Sequence, residues 1–104
     1  MPRRTLPTHP AQRRQLVALG ERLRAARLRR KLTQAMLAER VGVTVPTIRK
    51  LEAGDASTSL SVVLRALVVL GLAQDIDRLA AEDVLGRELQ DSDLKNPRHP
   101  RAPA

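Results

Sequence analysis

Three glycines, Gly42, Gly54 and Gly71, each stand directly behind a short stretch of apolar residues at helical spacing. No other feature restricts the fold as tightly. A glycine so placed closes a helix, because it accepts the left-handed conformation that the terminating residue needs. The stretches they close are residues 34–41, a segment from 44 or 45 to 53, and residues 60–70. Thr33 is placed to cap the first and Ser59 to cap the last. Apolar spacing near 3.6 dominates and no stretch alternates as a strand would, so the chain is expected to be all-α.

Two further helices complete the expectation. A long one over residues 11–30 carries Leu16, Leu19, Leu23 and Ala26 at inward spacing, with arginines on its other faces. A short one is expected over residues 74–81, and a weaker helical turn over 84–90. Outside these, Pro2, Pro7 and Pro10 mark residues 1–11 as a disordered basic arm, and "NPRHPRAPA" (96–104) reads the same way. The resulting division is an arm (1–11), a helix-turn-helix domain (12–85) and an extension (86–104) that is largely disordered after residue 95.

Composition narrows the function. The chain of 104 residues has no Phe, Tyr, Trp or Cys, so its core is aliphatic, and neither a disulfide nor a thiolate site is possible. His9 and His99 lie in opposite proline-rich tails, and no metal cluster or nucleophile–base pair is expected. No cofactor is implied, and an enzyme is not expected. The apolar run 66–73 is far short of the ~20 residues of a membrane span. Arg3 and Arg4 are followed by prolines rather than by a signal-peptide core, so a soluble, cytoplasmic protein is expected. Ten of the 19 Lys and Arg fall within residues 1–31, against a single acid, Glu21. So concentrated a basic end fits a polyanionic partner, although a solvated helix face would look the same.

The second and third helices, with about three residues and a glycine between them, have the spacing of a helix-turn-helix. An ordinary helical hairpin shares that spacing. The third helix, "TVPTIRKLEAG", tips the balance through its faces. Pro46 is tolerated in a first turn, where its missing N–H would have had no partner. It also biases Val45 away from helical dihedrals, so Thr44 and Val45 both remain candidates for the cap. Ile48 and Leu51 point inward. Pro46, Arg49, Lys50 and Ala53 share the opposite face, with Val45 at its leading edge. Arg49 and Lys50 are suited to donate to guanine O6 and N7, and Val45 or Pro46 to touch a thymine methyl. Thr47 is better placed for a phosphate. Gln34 opens the second helix, while Thr58 and Ser59 open the fourth. All three are phosphate-contact candidates, since helix N-termini favour anions.

Residues 19–72, with "LTQ", "LAERVGV" and "TIRKLEAG" in order, resemble the Xre family of helix-turn-helix regulators, the Cro and phage-repressor type. The resemblance implies a five-helix, lambda-repressor-like domain that binds a palindromic operator in double-stranded DNA as a homodimer. It places Gln34 at the glutamine that contacts phosphate or base, and Val45, Pro46, Arg49 and Lys50 at recognition positions. It also matches Arg27 and Glu52 to a partly buried ion pair tying the first helix to the third. Two departures stand out. Met36 replaces the usual Glu of a capping box, and Pro46 replaces a small polar residue. The segment "LAAEDVLGRELQDSDL" (79–94) is similar to the ends of HipB-type antitoxins, which repress their own operon and bind a HipA-type kinase toxin. The competing reading is a protein-interaction module, a toxin-neutralising antitoxin or a coactivator-like bridge, with no sequence-specific DNA reading. Dimerisation also follows from the fourth helix, whose Val62, Val63, Leu64, Leu67, Val68, Val69 and Leu70 cannot all face one core. Leu79, Val84, Leu85 and Leu89 are expected to extend that interface.

Overall fold

In a computed structural model, residues 8–95 are described; every regular element among them is helical and none is a strand. The elements are α1 (Pro10–Arg29), α2 (Gln34–Val41), α3 (Val45–Ala53), α4 (Leu60–Leu70), a 3-10 turn (Ala73–Arg78) and α5 (Val84–Lys95). The arm residues Arg3 and Arg4, and His99 with the rest of the C-terminal tail, lie outside the described residues. Among those described, no helix is long and apolar enough to cross a membrane.

The three glycines close their helices as the spacing predicts: Gly42, Gly54 and Gly71 all adopt positive φ, at 84, 72 and 76°. Hydroxyl caps open the same helices. Thr33 accepts from the Met36 N–H at 3.0 Å, and Ser59 from the Val62 N–H at 3.2 Å. The aliphatic core is assembled from Leu23 and Ala26 of α1, Leu37, Ala38 and Val41 of α2, Ile48 and Leu51 of α3, and Ala66, Leu67 and Leu70 of α4.

Several expectations need correction. Helix α1 begins at Pro10, one residue before the expected start at Ala11, with the His9 side chain capping it through the Ala11 N–H at 3.2 Å. Leu16 and Leu19 are only half-buried, because both line an open apolar groove beside the core. Lys31, not a glycine, takes the left-handed position behind α1, at φ 56°. The expected fifth helix over 74–81 is a single 3-10 stretch ended by extended Leu79 and left-handed Ala80. Only Leu72 and Ile76 anchor it to the core, too little to hold several α-turns. The expected weak turn over 84–90 is instead a full helix to Lys95, opened by the Asp83 carboxylate, which accepts from the Gly86 N–H at 2.8 Å. It crosses the expected domain boundary at residue 85.

Candidate nucleic-acid interface

The turn between α2 and α3 is three residues, Gly42 to Thr44, and its geometry is fixed from both sides. Gly42 and Val43 both return their N–H groups to the Ala38 carbonyl. Arg65, the lone basic residue of α4, reaches across to donate to the Val41 carbonyl at 3.2 Å. On the far side Thr44 caps α3: its Oγ1 accepts from the Thr47 N–H at 3.4 Å and meets Thr47 Oγ1 at 3.0 Å. Thr44 is therefore the cap, Val45 the first helical residue and Pro46 the second, where the absent N–H costs nothing.

Helix α3 is held by its inner face, where Ile48 is fully buried and Leu51 is 4% exposed. Pro46, Arg49, Lys50 and Ala53 are exposed together on the opposite face. Neither Arg49 nor Lys50 forms an ion pair among the described residues, where the only salt bridge is Arg27–Glu52. Both cations are thus available to an external anion. Val45 differs from the expectation of a leading-edge contact. It stands three residues before Ile48, on the same side of the helix, and packs against the core.

The orientation of this helix rests on two close contacts with α1. At one, the backbones of α1 and α3 nearly touch. A Cβ on Gly20 would lie 2.5 Å from the Glu52 carbonyl oxygen, and a Cβ on Gly54 the same distance from the Leu16 carbonyl oxygen. At the other, Arg27 Nε donates to Glu52 Oε2 at 2.6 Å and its Nη2 to Oε1 at 3.0 Å. The Arg27 and Glu52 side chains are only 7% and 3% exposed. Arg27 Nη1 also donates to the Leu32 carbonyl at 2.8 Å, which ties in the chain just before α2. This bidentate arrangement meets the hydrogen-bonding demand of both buried charges.

Gln34 enters the same network. Its Nε2 donates to Glu52 Oε1 at 3.1 Å. That bond uses one amide hydrogen and leaves the second, so the side chain at the start of α2 is oriented by the pair that tilts α3. Ser59 sits at the opening of α4, where its hydroxyl is already engaged with the Val62 N–H and Ser61. Thr58 is placed differently from the other candidates. Its Oγ1 is buried without a hydrogen bond, and the residue lines an apolar groove between α1 and α4. Asp55, just behind α3, is turned onto its own loop. Hydrogen bonds from the Ser57 hydroxyl and then its N–H hold the carboxyl below its ordinary pKa, and Lys50 acts in the same direction.

Sequence reasoning overlooked two positioning residues. Gly20 carried a signal, since a glycine inside a long helix costs ~1 kcal/mol and implies close backbone approach. Arg65 carried another, as one charge on an otherwise apolar helix.

A helix-turn-helix whose second helix is anchored from behind and basic in front defines a DNA-binding class of protein. The family model of a helix-turn-helix domain matches residues 18–80, well over half the chain, and the protein belongs to that family. Comparison with curated proteins and with solved structures gave no significant match.

Proposed function

We propose that this chain is a homodimeric transcriptional repressor of the Xre type, acting in the cytoplasm on a palindromic operator. The observation that carries the reading is the exposed α3 face, with Arg49 and Lys50 unpaired while Ile48 and Leu51 anchor the opposite side. Such a helix can enter a major groove with its proline end leading. Arg49 and Lys50 then reach guanine edges, and Pro46 offers only apolar contact. Gln34, Thr44, Thr47 and Ser59, at helix starts around that face, serve the phosphates, as does Thr58 once its hydroxyl rotates outward. Val45 supports the helix from its core side and reaches a thymine methyl at most with its edge. One short helix reads too few base pairs for useful specificity, and two half-sites about one helical turn apart supply the rest.

The HipB-like half of the proposal, autoregulation of its own operon with a HipA-like kinase toxin as partner, rests on the resemblance of residues 79–94. A kinase-like reading frame beside the gene supports it, and a neighbour of another kind removes it.

An electrophoretic shift on the DNA upstream of the gene, repeated across a salt series, tests the DNA-reading claim. Binding through several phosphates weakens steeply with salt, by roughly one power of salt concentration per neutralised phosphate. An absent or salt-insensitive shift would overturn this reading in favour of a protein-interaction module.

A further inference from the structure

Helix α5 buries none of its described side chains: Leu85, Leu89 and Leu94 are 66%, 60% and 72% exposed. Leu85 and Leu89 stand four residues apart and form one ridge, which Glu88 and Asp93 flank on either side. The body of the domain carries the complementary shape. Between α1, the start of α4 and the 3-10 turn runs an apolar groove of about 770 Å³, floored by Leu23, Val63 and Leu67. Arg22 and Arg29 stand on its α1 side, seven residues and thus ~10.5 Å apart along the helix. A single acid, Asp75, stands on the opposite wall.

We infer that α5 of one copy seats its Leu85–Leu89 ridge in this groove of a second copy, with the exchange made reciprocally. The inference rests on the homodimer proposed above and names the surface that holds it. Charge favours this occupant on balance, because one acidic flank of the ridge, Glu88 or Asp93, faces both Arg22 and Arg29, while the other meets the single acid Asp75. The local geometry favours exchange over folding back. Left-handed Ala80, the Asp83 cap on Gly86 and the Arg87 bond to the Ala81 carbonyl at 3.2 Å set the direction in which α5 leaves its own domain. Reversing it within the link 79–83 would break all three. Reciprocity also counts the buried area twice, bringing one short helix toward the ~1,200–2,000 Å² of a stable interface. Thr58 is the one groove residue also given a phosphate contact above, and a seated α5 takes its place there; none of the groove residues belongs to the exposed face of α3, so the dimer leaves that face open.

The test uses the full chain, which has no native cysteine. Light scattering of the wild type and of the Leu85→Asp/Leu89→Asp variant reads the assembly. The expected result is a dimer for the wild type and a monomer for the variant, with unchanged far-UV helicity. A variant that stays dimeric overturns the exchange while leaving the homodimer intact, and points to the exposed Leu64–Val68 stripe of α4. A monomeric wild type removes the homodimer itself. Singly substituted Leu89→Cys and Leu60→Cys proteins, mixed and oxidised, separate exchange from folding back. Disulfide-linked dimers forming faster in the mixture than in either protein alone support the exchange. In the Leu60→Cys/Leu89→Cys double variant, a disulfide that forms only within a monomer overturns it.

Discussion

Replacing Glu52 by alanine removes the acceptor for two Arg27 donors and for the Gln34 amide at once. Arg27 remains 6% exposed with only the Leu32 carbonyl to receive it. Breaking a buried pair from one side costs about 3–5 kcal/mol, because an uncompensated charge stays buried. Against a total of about 5–15 kcal/mol for a domain of this kind, that is a large share. At about 4–8 °C per kcal/mol, the melting temperature should fall by more than 10 °C. Thermal and urea denaturation of the Glu52→Ala variant measure this. The double replacement Arg27→Met/Glu52→Leu should restore most of the stability, since an apolar pair of similar volume costs little. It should not restore full DNA affinity, because the bidentate geometry that sets the tilt of α3 is gone. A Glu52→Ala loss below about 1 kcal/mol, the range of exposed pairs, would refute the reasoning.

Other substitutions probe the same architecture. Gly20→Ala places a methyl 2.5 Å from the Glu52 carbonyl oxygen and 2.7 Å from the Gly54 nitrogen. It should destabilise by several kcal/mol although alanine is the better helix former, and a raised melting temperature would contradict the close approach. Lys31→Gly relieves a left-handed residue at φ 56° and should gain up to about 1 kcal/mol in urea unfolding; a loss would show that Lys31 is not strained. Arg49→Ala or Lys50→Ala should cost about 1–3 kcal/mol in specific binding and relax base preference, with unchanged melting. Titrations against operator and scrambled duplexes read both effects.

What could be read from the sequence were the features governed by local chemistry. Left-handed glycines and hydroxyl caps announce themselves over three or four residues, which is why the limits of α2 and α4 and the end of α3 could be set in advance, while the cap of α3 stayed open between Thr44 and Val45. The inward placement of Ile48 and Leu51 follows from periodicity alone. Features set by contacts distant in the chain were harder to foresee. Gly20 and Gly54 touch across 34 positions, and the Gln34 amide meets Glu52 only because α2 and α3 converge. Val45 read as the leading edge of the face that spacing assigns to Pro46, Arg49, Lys50 and Ala53, yet one residue of helical rotation turns it to the core. Helix α5 was underestimated because it buries nothing in its own domain, and a search for core-facing periodicity cannot find such a helix.

Guanine N7 protection from methylation on the promoter DNA tests the role of α3 most directly, since N7 lies in the major groove that Arg49 and Lys50 are proposed to enter. The expected result is two protected clusters centred about 10–10.5 base pairs apart, or a multiple of that, with guanines that become reactive again in the Arg49→Ala protein. DNA that is bound yet equally methylated with wild-type and Arg49→Ala protein would contradict the assignment of α3 as the reading helix.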